Sequence, residues 1–271
     1  MSASRVPSNR KDFTLPDAVR LFCKHPSPWM IGATLAAALA ARIAVGDWQL
    51  TDALVSASMV MVFPFVEWAI HVFILHWRPR RIGKLTVDPL LACKHRQHHA
   101  DPRIPALVFI PAKALPWILA GAVAIAVLAF PRIGLGLTFL TSAMALGLGY
   151  EWTHHLIHTD YKPKTSAYHA IWRNHRLHHF KNEHYWFTIT TSGTADRVLR
   201  TYPDPASVPT SPTAKNLHAS TVLGAPHNKP RQSLHADSNG GLEKASSRNF
   251  LSHIGVRLSS VLQVGVGRPR S

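Results

Sequence analysis

Residues 133–158 read IGLGLTFLTSAMALGLGYEWTHHLIH, and this stretch sets both the medium and the chemistry of the chain. Its first part, 133–148, carries no charge, and it leads directly into Glu151, Trp152, His154, His155 and His158. An uncharged run of this size is close to the ~17–25 residues that cross a bilayer. Blocks that are almost wholly apolar also occupy 29–45, 53–75 and 115–130. A soluble domain of 271 residues does not usually gather its apolar residues this way. The expected fold is therefore an all-α integral membrane protein with four transmembrane helices in two hairpins. A soluble core stays open only for the first and third blocks, which are short and carry Arg42 and Pro116.

The second block ends as the fourth does. Glu67-Trp68-Ala69-Ile70-His71 parallels Glu151-Trp152-Thr153-His154-His155, and His95-Arg96-Gln97-His98-His99 parallels His175-Arg176-Leu177-His178-His179. Two hairpins, each trailing related words, suggest two halves of one site on the same membrane face.

Charge placement orients the chain. The formal net charge is +16, and the stretch 77–113 alone holds Arg78, Arg80, Arg81, Lys84, Lys94, Arg96, Arg103 and Lys113. The links on the other side hold only Asp47, Asp52 and Arg132. The positive-inside rule then places both termini and the histidine clusters in the cytoplasm, at a bacterial inner membrane or the endoplasmic reticulum. Basic charge beside membrane helices faces anionic headgroups, and no soluble module with interleaved aromatics suggests nucleic-acid binding. Cys23 and Cys93 imply no disulfide framework. Arg5, Arg10 and Lys11 precede no apolar run before Trp29, so the first block is expected to remain as an anchor. The expected organisation is a cytoplasmic segment 1–28, a membrane domain 29–202, and a basic tail 203–271. Pro203, Pro205, Pro209 and Pro212 begin that tail, whose composition does not sustain a packed core.

The chain has eighteen histidines, and ten of them fall into spaced groups. These are His71 and His76; His95, His98 and His99; His154 and His158; and His175, His178 and His179. Positions i, i+3 and i+4 share a helix face, so each His-x-x-His-His word is expected to point three imidazoles at one place. His154 and His158 pair in the same way and are preferred to His155. His71 and His76 do not align in an ideal helix, so a bend or helix end is expected between them, with Arg78-Pro79 just beyond. Ten imidazoles at one membrane face exceed the needs of one ion, which takes about four to six ligands, so two metals are inferred. Imidazole suits iron, zinc, copper and nickel, which leaves the metal open. Glu67 and Glu151 stand near enough to accept a ligand's free ring N–H, or else face the headgroups. His25, His169, His184, His218, His227, His235 and His253 read as polar anchors.

The series His71-x4-His76, His95-x2-His98-His99, His154-x3-His158 and His175-x2-His178-His179 resembles the fatty acid hydroxylase/sterol desaturase superfamily. The gap from His76 to His95, with Tyr150–His154, Asn174–Asn182 and Phe187–Thr191, looks like the fatty acid 2-hydroxylases. The likeness covers about Pro64 to Tyr202. It implies a four-helix anchor capped by a cytoplasmic helical dimetal domain, two non-haem irons with zinc as an alternative on purification, dioxygen, and a lipid substrate. Thr188 and Arg200 stand where those hydroxylases commonly have glycine. His25-Pro26-Ser27 is not the His-Pro-Gly-Gly signature of their fused haem domain, so a separate electron-transfer protein and reductase are expected.

The expected reaction is hydroxylation of a fatty acyl or sterol-like C–H bond, with the lipid entering between the second and fourth helices. Desaturation by the same oxidant stays open. The rivals from other classes are a zinc-dependent membrane hydrolase and a metal-handling membrane protein. The first lacks an evident general base beyond the two glutamates, and the second lacks polar residues through the middles of helices one, three and four.

Overall fold

The computed structural model describes residues 13–218. Helix α1 (Leu15–Phe22) starts from a capping box in which Thr14 and Asp17 exchange hydrogen bonds. Helix α2 (Pro26–Val45) opens on proline and ends at Gly46, whose φ of 71° supplies the left-handed cap. Helix α3 (Leu50–Ala69) contains Pro64 and continues without interruption into a π-helical turn, Ile70–Leu75.

A short antiparallel hairpin, β1 (Arg80–Ile82) and β2 (Leu85–Val87), then turns at Gly83. Helices α4 (Leu90–Ala100), α5 (Pro105–Val108), α6 (Leu115–Leu128), α7 (Ile133–His158), α8 (Ser166–Phe180) and α9 (Thr194–Val198) complete the order, followed by a 3-10 turn at Pro205–Ser207. The hairpin departs from the all-α expectation. Gly83, with φ of 60°, was its trace in the sequence.

Among the described residues three helices are long and apolar enough to span a membrane: Pro26–Val45, Leu50–Leu75 and Ile133–His158. The third apolar block forms only the 14-residue α6, about 21 Å long against the ~30 Å hydrocarbon core. Pro131 is the physical reason, because the residue before a proline is pushed out of the helical region. The expectation of four full spans therefore shrinks to three spans and one shorter apolar helix. Trp29, Ile43, Met61, Phe73, Trp117 and Leu128 face outward, as a lipid-facing surface requires.

Helix α7 lies at the centre, in contact with α1, α2, α3, α5 and α6. Its Gly136 packs so closely on the Ala126 carbonyl that a Cβ would collide. Ile31, Ala38, Leu115, Ala126, Leu140 and Met144 form the buried core between α2, α6 and α7. Asp52 of α3 meets Thr138 of α7 near their N-termini, so the two helices run in the same direction and both bring histidines to the other end.

Candidate metal centre

The pairing of His71 with His76 rests on the winding of α3. Five residues of α-helix turn through about 500° and leave the side chains roughly 140° apart. In the π turn the i→i+5 bond from His76 N to His71 O, at 3.0 Å, brings residue i+5 back over residue i. The helix does end between them, at Leu75 with His76 as its cap, which is one of the two expected alternatives, and the π turn aligns the rings. In α7 the ordinary i, i+4 spacing does the same for His154 and His158.

The ten expected histidines gather into two sets of five. His71, His76, His95, His99 and His178 form one, here called centre A; His98, His154, His158, His175 and His179 form centre B. In each, the candidate ligand atoms lie within 4.8 Å of one another. The expectation that each His-x-x-His-His word serves one place is corrected. In α4, His95 and His99 turn to centre A and His98 to centre B; in α8, His175 and His179 turn to B and His178 to A. An i, i+4 pair lies about 40° apart, whereas i+3 lies about 60° to the other side, so a helix wedged between two centres divides its word.

The rings converge through Nε2. In centre A the His71–His95, His95–His99 and His76–His178 Nε2 separations are 3.1, 3.2 and 3.2 Å. In centre B the His98–His158, His158–His175 and His175–His179 separations are 3.1, 2.9 and 3.0 Å. At a metal–nitrogen length of ~2.0–2.1 Å, ligands at right angles stand about 2.9 Å apart and tetrahedral ligands about 3.4 Å. The separations fall between these two values, and it is the five rings of each set that exceed a tetrahedral ion's four ligands.

Outer contacts settle the proton on several rings. The Nδ1 atoms of His71, His178 and His99 face the carbonyls of Phe187, Tyr185 and Ala214 at 2.6, 2.8 and 2.8 Å. His154 Nδ1 faces the Val108 carbonyl at 2.9 Å. A carbonyl only accepts, so each Nδ1 carries the hydrogen and each Nε2 presents a lone pair inward. His154 Nε2 is buried without a hydrogen-bond partner. Burial, followed by the neighbouring imidazoles, holds His76, His95, His98, His175 and His179 well below the usual histidine range. Burial takes His99 down to about 3. Neutral rings with converging lone pairs are a donor set for cations.

The expected contact of Glu67 and Glu151 with ligand rings is also corrected. Glu67 accepts from the Ile189 amide, from the Thr190 amide at 3.0 Å and from the Thr190 hydroxyl at 2.7 Å. Glu151 accepts from the Ser27 hydroxyl at 2.6 Å and the Ile110 amide at 2.7 Å. Among the described residues neither carboxylate bonds an imidazole. Both are buried and bound to protein, which also removes the headgroup alternative.

Residues 204–218, expected to begin an unpacked tail, instead cover the histidines. Ala214 and Leu217 are buried, the Ala214 carbonyl holds His99, and His218 donates from Nε2 to the His76 carbonyl at 3.1 Å. No periodic pattern marks the segment, because it packs through single residues and loop hydrogen bonds. Residues 219–271, with His227, His235 and His253, lie outside the described residues. His155 lies outside both centres, with Nε2 on the Ala18 carbonyl at 3.0 Å, and His25 stacks on Phe109. Of the two positions expected to be glycine, Thr188 is buried and bound to Asp196, whereas Arg200 takes a φ of 60°.

A cavity of about 280 Å³ runs between α3 and α7, lined by Val60, Phe63, Pro64, Ala145, Leu146 and Gly149. Thr153, Thr190 and Thr191 line its polar part, beside His154 and the loop that Glu67 holds.

The comparisons agree with this geometry. The family model described as fatty acid hydroxylase matches residues 56–201. A solved structure titled full-length scs7p, with only the hydroxylase domain visible, superposes with a TM-score of 0.52 at 19% identity. The match covers 67% of this chain and 65% of that one. No curated protein matches the sequence. The chain thus belongs to the fatty acid hydroxylase family.

Proposed function

We propose that the chain is a membrane-bound non-haem di-iron oxygenase that hydroxylates a C–H bond of a lipid, drawing electrons from a separate donor protein and its reductase. The observation that carries this reading is the pair of five-imidazole centres, with ring Nε2 atoms converging at 2.9–3.2 Å. His71, His76, His95, His99 and His178 would hold one iron, and His98, His154, His158, His175 and His179 the other. The irons, when bound, would supply the reduction of dioxygen and the removal of hydrogen from carbon.

The protein's own part is to bind, orient and keep water out. Five nitrogen ligands leave a six-coordinate ion one open position. The segment 204–218 covers centre A through Ala214 and His218. The apolar crevice between α3 and α7 suits an acyl chain, whose polar end would meet Thr153, Thr190 and Thr191. The basic stretch 77–113 supports a cytoplasmic histidine end, where a soluble electron donor has access.

The test is metal content and oxygen uptake of detergent-purified protein loaded anaerobically with ferrous iron, then given reductant and a lipid extract. Two tightly held irons per chain and lipid-dependent oxygen uptake are expected. Stoichiometric zinc with no oxygen uptake after iron loading would overturn the oxygenase reading in favour of a hydrolase. Loosely exchanging ions would favour metal handling.

A further inference from the structure

The two halves of the molecule hold one spanning-helix histidine each by the same construction. In the first half the Phe187 carbonyl faces His71 Nδ1, and two residues later the Ile189 amide donates to Glu67. In the second, the Val108 carbonyl faces His154 Nδ1, and two residues later the Ile110 amide donates to Glu151. The step from carbonyl to amide is the same, although one loop follows α8 and the other lies between α5 and α6. Each glutamate sits on the same helix as the histidine it serves, four residues before His71 and three before His154. The extra residue in the first half is taken up where α3 changes to π winding.

We propose that Glu67 and Glu151 are positioning residues, each locking a loop whose carbonyl fixes the tautomer and direction of one imidazole: His71 in centre A and His154 in centre B. The proposal rests on the reading of these centres as metal sites. A carbonyl orients a ring only as firmly as its own loop is held. A buried carboxylate holds loop amides by charge-assisted bonds that are stronger in a low dielectric than neutral ones.

In the first half the hold is fourfold. The Phe187 and Thr188 amides each donate to Asp196 at 2.9 Å, and the Ile189 and Thr190 amides donate to Glu67. Four successive amides are thereby shared between two carboxylates. In the second half the Ser27 hydroxyl ties Glu151 to α2 at 2.6 Å. Glutamates that merely packed their helices would affect both centres together. Glutamates acting through these loops affect one centre each.

The experiment uses the full chain, loaded with ferrous iron, and reads ions per chain and the rate of their transfer to a chelator. Glu67→Ala is expected to speed release of one of the two ions at least about tenfold and leave the other at the parent rate. Glu151→Ala is expected to do the same to the other ion. In a His71→Ala background, which lacks a centre A ligand, Glu67→Ala should change nothing further; combined with His154→Ala it should loosen both ions.

Glu67→Gln keeps an oxygen for the two amides but gives up the charge, and is expected to release iron more slowly than Glu67→Ala. Parent-like release from Glu67→Ala, an additive effect with His71→Ala, or equal release from the Gln and Ala variants would each overturn the proposal. Should Glu67→Ala fail to fold, Glu67→Asp, which cannot reach Ile189 without moving the helix, gives the same reading. A parent chain that retains no iron overturns the metal-centre reading itself, and this proposal with it.

Discussion

The same helices end in two polar clusters of opposite kind. At the end away from the histidines, the buried Arg42 pairs with Asp52 at 3.2 Å and Asp47 at 3.0 Å, and its Nε donates to Thr138 at 2.9 Å. Thr138 donates in turn to Asp52 at 2.6 Å, and Arg132 pairs with Asp47 and Asp52. Two guanidinium groups meet two carboxylates, so donors face acceptors and the charge cancels. At the histidine end, ring nitrogens face one another, and those of His71, His99, His154 and His178 do so as acceptors. A membrane domain must satisfy polar groups from within. The first cluster does so through its own ion pairs, whereas the second presents a donor set suited to cations. The two polar clusters therefore differ in kind, one joining α2, α3 and α7 by ion pairs and the other gathering ten rings that could hold metal ions.

The largest effect that bears on this contrast is expected from removing inward lone pairs. His98→Ala and His178→Ala should each lower activity more than about a hundredfold and leave one tightly held ion per chain. Pairing substitutions within one word sharpens the point. His95→Ala with His99→Ala should cost one ion, because both rings face centre A, but His95→Ala with His98→Ala should cost both. Metal analysis that found the reverse would restore the reading of one word to one centre.

At the opposite end, Asp52→Ala strips both arginines of a partner while leaving the histidines untouched. A fall of at least about 5 °C in the midpoint of thermal denaturation is expected, with two ions still bound to the folded fraction. Loss of metal from that fraction would show that the two clusters are coupled along α3 and α7.

A smaller effect, on turnover alone, is expected at Gly149. A Cβ there meets nothing within 4 Å, and the residue lines the crevice between α3 and α7. Gly149→Phe should fill that space and slow lipid turnover about tenfold, with metal content and reductant-driven iron reduction unchanged. Unaltered turnover with long-chain substrates would place the lipid elsewhere.

Much of this was legible in the sequence. Of the four spans expected from the apolar blocks, three stand among the described residues, because length and hydropathy act locally, and spacing marked the ten rings that come together. What spacing did not reveal was their partition, since i, i+3 and i+4 look like one face until a helix is placed between two centres. Nor did it reveal the partners of Glu67 and Glu151, which include backbone amides more than a hundred and about forty residues away in sequence. A backbone amide has no letter of its own. The covering segment 204–218 was hidden for a related reason: its contacts with His76 and His99 use a carbonyl and a lone histidine, not a pattern.

Arg200 gives the finest test, because here the sequence resembled a family and then departed from it. Its φ of 60° lies where an L side chain costs about 1–2 kcal/mol, and its side chain is exposed. The next residue, Thr201, closes the loop that holds His71: its carbonyl accepts from Trp186 N at 2.9 Å and its hydroxyl donates to Asp196 at 2.7 Å. The left-handed turn is thus kept although the glycine is not. Arg200→Gly should stabilise the protein by about 0.5–1 kcal/mol, the relief of strain less the added freedom of the unfolded chain. A rise of about 2 °C in the denaturation midpoint is expected, with no change in metal content. A fall instead would mean that the arginine contributes more than its backbone conformation costs, and that this loop is held by its side chain as well as by Asp196.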